Sequence, residues 1–137
     1  MLEKRNFYIN GKWVSPSKPN DFEVINPSNE DPFAIISLGS KEDADKAINA
    51  AKIAFETWRE TTKEERLQLL EKFDEIYNRR WDEMVKAQST EMGAPLDYAS
   101  ETHTKMGADI SKNTIKILKD FNFEHQFDSK SNNHIRY

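Results

Sequence analysis

Polar and apolar positions alternate at the start of the chain and then change period. Phe7-Tyr8-Ile9-Asn10-Gly11-Lys12-Trp13-Val14 sets two β-rich triplets around Asn-Gly. That dipeptide tolerates positive φ, so the segment predicts a hairpin closed by a two-residue type I′ turn. Ser15 to Asn20, with Pro16 and Pro19, breaks the ladder, because proline supplies no amide donor, and predicts a loop. Phe22-Glu23-Val24-Ile25 and Phe33-Ala34-Ile35-Ile36-Ser37-Leu38 predict two more strands. The turn-rich Asn26 to Pro32 between them makes a second hairpin the natural reading.

From Ser40 the apolar residues recur at three and four. Ser40-Lys41-Glu42-Asp43 has capping-box spacing, in which a hydroxyl and a carboxylate satisfy amides left open at a helix start. Ala44, Ala47, Ile48, Ala51, Phe55 and Trp58 then fall on one face, and the small alanines imply close packing on something flat. Thr62-Lys63-Glu64-Glu65 repeats the box, and Leu70, Phe73, Tyr77, Trp81, Met84 and Val85 predict one longer helix ending at Gly93-Ala94-Pro95. Pro95 suits the first turn of a third helix running to about Asp120. Its stripe is Leu96, Ala99, His103, Met106, Ile110, Thr114, Ile117 and Phe121, and Gly107 is expected to weaken it by about 1 kcal/mol relative to alanine. Phe123 and Phe127 alternate with polar residues, and His134 to Tyr137 restarts an extended pattern, so the chain is expected to stop in mid-strand. No internal repeat or Pro/Gly linker divides it.

Composition narrows what such a chain does. Charged residues make up 32% of it and no apolar run approaches the ~20 residues of a membrane span, so no membrane role is expected. The first ten residues lack the apolar stretch of a secretory signal, which makes a cytoplasmic location the expectation. A net charge of -4 disfavours nucleic acid as a partner. With no cysteine, disulfides, thiolate metal ligands and a cysteine nucleophile are excluded from these residues.

The remaining chemistry is sparse. Only four glycines occur, and none builds a phosphate-cradling loop. His103, His125 and His134 lack the spacing of a helical zinc pair. Asp97 with Glu101, and Glu71 with Glu75, stand one helical turn apart, an arrangement that can divide acid and base roles but more commonly forms solvated ion pairs. Trp13, Trp58 and Trp81 are expected to be packing residues.

Taken in order, the Phe7 to Val14 hairpin, Phe22 to Pro27, the alanine-rich helix with Phe55-x-x-Trp58, Arg66-x-x-Leu69-Leu70 and Glu91-x-Gly93-x-Pro95-Leu96 resemble the amino-terminal region of NAD(P)-dependent aldehyde dehydrogenases. The hairpin from Phe123 resembles the start of that family's oligomerisation arm. The resemblance implies an incomplete α/β fold, with residues 1–120 the amino-terminal part of a cofactor-binding domain and 121–137 the beginning of the arm. It also implies a parent reaction in which a cysteine thiolate attacks the aldehyde, hydride passes to NAD or NADP, and water releases the acid.

None of those catalytic or cofactor residues matches a position here, so the chain alone is expected to be inactive and to bind no cofactor. Two smaller features carry over. The backbone near Ile25 and the carboxylate of Glu91 resemble the intrasubunit monovalent-cation site, where many members carry an aspartate; a solvated acid is the alternative reading of Glu91. Met106 and Ile110 fall on a helix that resembles the one bordering the substrate entrance, with packing against a sheet as their alternative use. Self-association through the apolar helix faces and the arm is expected, and a stand-alone helical interaction module is the competing reading of the whole chain.

Overall fold

The computed structural model describes residues 1–124. The hairpin forms as its turn chemistry requires. β2 (Phe7–Ile9) pairs antiparallel with β3 (Lys12–Val14), and Asn10 and Gly11 carry φ of 52° and 73°, both positive as a type I′ turn demands. β4 (Asp21–Ile25) and β5 (Pro32–Ser37) form the second antiparallel pair, with a register irregularity between Val24 and Ile25. Its turn is fastened by Asn26, whose amide donates to the Asp31 carbonyl (2.9 Å) while its side-chain oxygen accepts from the Ser28 amide (2.9 Å).

The sheet is wider than the hairpin pattern predicts. β1 (Leu2–Lys4) lies parallel to β5, with Leu2 opposite Ala34 and Lys4 opposite Ile36, giving the order β1-β5-β4. Three residues with two charges among them carry no period of their own. A parallel partner far along the chain leaves no local signal either.

Helix α1 (Lys41–Trp58) begins with the reciprocal box: the Asp43 amide donates to Ser40 Oγ (3.3 Å) and the Ser40 amide to Asp43 Oδ2 (2.9 Å). Asp43 also reaches out of the helix, accepting from the Ser17 amide at 2.8 Å and so pinning the loop after β3. Near that end α1 meets β2, around Phe7, Ile9, Ala44 and Ala47. The rest of its stripe is not covered. Ile48, Phe55 and Trp58 are exposed, so the close packing expected of this face does not occur among the described residues.

The longer helix expected after Thr62 is two helices. α2 (Lys63–Arg79) has its own box from Thr62 and Glu65, and α3 (Trp81–Met92) follows immediately. Between them Arg80 has φ -100° and ψ 23°, outside the helical well, while its amide still donates back to the Ile76 and Tyr77 carbonyls. Helical periodicity continues across such a one-residue joint, so the stripe did not reveal it. Gly93, with φ 71°, closes α3 as a left-handed cap whose amide donates to the Ser89 carbonyl at 3.0 Å.

The third helical stretch comprises α4 (Leu96–Tyr98), a π-helical segment (Ala99–Thr104) and α5 (Lys105–Asp120). The wider π turn shifts the register of everything beyond it. Thr104 at the end of that segment and Ala108 and Ser111 of α5 turn inward, while Met106, Ile110 and Ile117 are exposed. Of the predicted stripe Ala99 is fully buried, whereas Leu96, Met106, Ile110, Ile117 and Phe121 are exposed.

α2 and α5 run antiparallel. The Tyr77 hydroxyl donates to the Thr104 carbonyl (3.0 Å), Lys119 pairs with Glu71 (2.7 Å), and Lys63 Nζ donates to the Lys119 and Phe121 carbonyls (2.9 and 3.4 Å). A cation there satisfies the open carbonyls at the end of α5. Gly107 lies directly under the Tyr77 side chain, so its missing Cβ makes room for that contact. A Cβ on it would sit far inside contact distance of Tyr77 Oη and 2.9 Å from Cζ. Among the described residues the buried apolar ones are Ala34, Val85, Ala99 and Ala108, a core of mostly small side chains. Trp81 meets the packing expectation and donates Nε1 to Ser100 Oγ at 3.1 Å, whereas Trp13 is 70% exposed and meets Tyr8 edge-on.

Candidate functional site

The two halves of the cation-site expectation come from elements that the fold brings together. Ile25 ends β4 at the register irregularity, opposite Pro32. Glu91 stands in the last turn of α3 and shares a cleft with Val24, Ala34, Met84 and Ala87, between that helix and the sheet. Just beyond, the Gly93 corner presses on the β4–β5 turn, where a Cβ on Gly93 would lie 2.9 Å from Pro27 Cγ. A side chain at residue 93 would push the two segments apart. Among the described residues no group of three or more His, Asp or Glu side chains could hold a metal ion. Any cation at this corner would depend on main-chain carbonyls plus one carboxylate, a donor set suited to a weakly held monovalent ion.

Met106 and Ile110 lie on the outer face of α5, 54% and 60% exposed, with Ile117 and Phe121 continuing the row. Sequence periodicity missed an aromatic contact earlier in the same helical stretch. Tyr98 packs edge-on against His103, ring centroids 4.9 Å apart, and is itself 53% exposed. Residues five apart superimpose only where the helix widens to π geometry, and a 3.6-residue repeat does not relate them.

The carboxylate pairs behave as ordinary surface charge. Glu71 pairs with Lys119, and Glu75 with Lys72 at 2.7 Å. Hydrogen bonding to Lys72 lowers the Glu75 carboxyl below its usual range. Asp97 and Glu101 are exposed. His125 and His134, like the extended pattern from Phe127 onward, lie outside the described residues.

This geometry is a framework around a corner and an apolar face, and it coincides with a known one. The model of the aldehyde dehydrogenase family matches residues 13–137. The chain belongs to the aldehyde dehydrogenase family, as an amino-terminal segment with the corresponding incomplete α/β fold. A 3-succinoylsemialdehyde-pyridine dehydrogenase from Pseudomonas sp is 41% identical over 125 residues, which is 90% of this chain and 26% of that protein. An aldehyde dehydrogenase from Bartonella henselae superimposes with a TM-score of 0.92 at 51% identity, over 96% of this chain and 28% of its own. A variant of the Pseudomonas syringae enzyme AldC, solved with NAD+ and octanal, gives a TM-score of 0.86 at 32% identity, over 88% of this chain and 25% of its own. The chain thus spans about a quarter of the length of the relatives it matches.

The place where a strand runs into a helix start, β5 to α1, is already filled by the Asp43 carboxylate, which would repel a phosphate. Two of the glycines are committed elsewhere, Gly11 to the hairpin turn and Gly107 to the α2–α5 contact. Among the described residues no helix is long and apolar enough to cross a membrane.

Proposed function

We propose that this chain supplies the amino-terminal framework of an NAD(P)-dependent aldehyde dehydrogenase, an enzyme oxidising an aldehyde to a carboxylic acid in the cytoplasm. The observation that carries the reading is the superposition on the Bartonella henselae enzyme, 96% of this chain on 28% of that one. In this reading residues 1–120 belong to the cofactor-binding domain and 121–137 begin the oligomerisation arm. Met106 and Ile110 line one wall of the substrate entrance, and the Ile25 backbone with Glu91 holds a monovalent cation. NAD or NADP is gripped by residues of the parent that have no counterpart here.

The test is a fusion of this chain, at the matched position, to the remaining three quarters of the Bartonella henselae relative. The fused protein is expected to reduce NAD(P) with an aldehyde, followed by nucleotide absorbance, and the 137-residue chain alone to give no reduction. A fusion that folds yet stays inactive refutes the reading. A second reading, an interaction module that self-associates, is favoured by the exposed rows on α1 and α5. Its measure is light scattering across a concentration series.

A further inference from the structure

We propose that Tyr77 and Gly107 form a register lock that holds the π segment and so turns Met106 and Ile110 outward, which makes the pair positioning residues for one wall of the substrate entrance. This rests on the reading of the chain as an aldehyde dehydrogenase framework with Met106 and Ile110 at that entrance.

The burial pattern carries a one-residue offset. Ala99 and Thr104 are both fully buried and stand five apart, and beyond them Ala108 and Ser111 are buried and Ile115 and Leu118 half-buried. Continued from Ala99 at α-helical steps, the inward residues would be His103, Met106, Ile110, Thr114 and Ile117, the stripe that the sequence period predicts. The residues that do face inward, Thr104, Gly107, Ser111, Ile115 and Leu118, each come one later. A π turn takes up one extra residue, and one residue is about 100° of helix rotation.

Burial alone favours the other register. This one hides Thr104 and Ser111, whose hydroxyl oxygens have no hydrogen-bond partner among the described residues, and leaves Met106, Ile110 and Ile117 between 54% and 64% exposed. Exchanging the two sets would bury apolar surface and free two polar groups. Neighbouring side chains hold the register against that gain. The Tyr77 hydroxyl donates to the carbonyl of Thr104, the last residue of the π segment (3.0 Å), and Trp81 Nε1 donates to Ser100 Oγ near its start (3.1 Å). The phenol also occupies the space over residue 107, where a Cβ would lie 2.9 Å from Cζ and nearer still to Oη. A one-residue shift would bring Met106 into that space, and Gly107 is the one glycine of α5. Only the π register lets the helix pass beneath Tyr77. A helix held against its own hydrophobic period marks a place where the outward face is used.

The chain contains no cysteine, so a single introduced thiol reports which face of α5 is outside. Ile110→Cys and Ser111→Cys are each labelled with a maleimide in the 137-residue chain, with circular dichroism following helicity. With Tyr77 in place, the thiol at position 110 is expected to react about tenfold faster than the one at 111. Tyr77→Ala should reverse that order, and Tyr77→Phe, which keeps the ring over Gly107, should preserve it. Kinetics then test the role, in the fusion to the remaining three quarters of the Bartonella henselae relative. Tyr77→Ala is expected to raise KM for hexanal about tenfold with kcat within about twofold, and to change KM for the shorter acetaldehyde by less than about threefold. Tyr77→Phe should stay near the parent on both. Gly107→Ala is the second disrupting variant should Tyr77→Ala lose helicity. An unchanged labelling order in a folded Tyr77→Ala or Gly107→Ala chain overturns the lock. Unchanged KM values, or equal losses on both aldehydes, overturn the entrance role. An inactive, folded fusion carrying neither change sinks the functional reading beneath the proposal, while the labelling order still decides the lock.

Discussion

Gly107 faces the phenol of Tyr77 with no room for a methyl group between them. On an isolated helix Gly107→Ala would stabilise by about 1 kcal/mol. Here the added Cβ must displace Tyr77 and strain its hydrogen bond to Thr104, so a net loss of about 1–3 kcal/mol in urea unfolding is expected. Introducing Gly107→Ala into a Tyr77→Phe background should cost less, because the nearest clashing atom is gone; an equal cost would show that the ring, not the hydroxyl, sets the spacing. Asp43 gives a pH prediction. Its carboxyl is held well below the usual aspartate range, first by the Ser17 amide and then by the amide and hydroxyl of Ser40. A lowered folded value means the stabilisation is fully present above the unfolded aspartate value, about pH 4, and is lost as pH falls toward the lowered one. Asp43→Asn should therefore reduce stability at neutral pH and flatten the acid limb of a circular dichroism titration; an unchanged limb would assign acid unfolding to other groups.

Arg66 shows what a motif residue does between elements. Its Nε donates to Thr61 Oγ1 (2.8 Å), its Nη2 to the Trp58 and Arg59 carbonyls (3.3 and 3.2 Å), and its guanidinium stands 5.7 Å from the Trp58 ring centroid. It closes the end of α1 and sets the turn into α2. Lysine lacks the planar fork, so Arg66→Lys is expected to lose about 1–2 kcal/mol by chemical denaturation, nearly as much as Arg66→Ala. Equal stability of the lysine variant would mean that charge alone holds the turn. Both hairpins and both capping boxes were legible in the sequence, because turn glycines, cap hydroxyls and acids at the third helical position act within a few residues. The break at Arg80, the π segment and β1 were not. A single bridge-region residue interrupts no hydrophobic period, a π turn alters register without altering composition, and β1 depends on a partner some thirty residues away. At the corner, Glu91-x-Gly93 was readable as a motif, while its apposition to the β4–β5 turn needed the packed structure.

Across the described residues large apolar side chains remain outside, among them Ile48, Ile53, Phe55, Ile110 and Ile117. Marginal stability is the expected result, since apolar area left in water contributes nothing to the core. Midpoint temperature should rise when this chain is fused to the remaining three quarters of the Bartonella henselae relative, measured by differential scanning calorimetry. No rise in a folded fusion would place the apolar rows outside any contact with the rest of the fold. The parallel pairing of β1 with β5 has a practical side. Because Leu2 lies opposite Ala34 and Lys4 opposite Ile36, anything attached ahead of Met1 emerges toward Pro32 and the β4–β5 turn. That is the end of the sheet on which the Gly93 corner rests, beside Ile25 and Glu91. An affinity tag placed ahead of Met1 would crowd the proposed cation corner, and potassium or sodium titrations belong on protein without one.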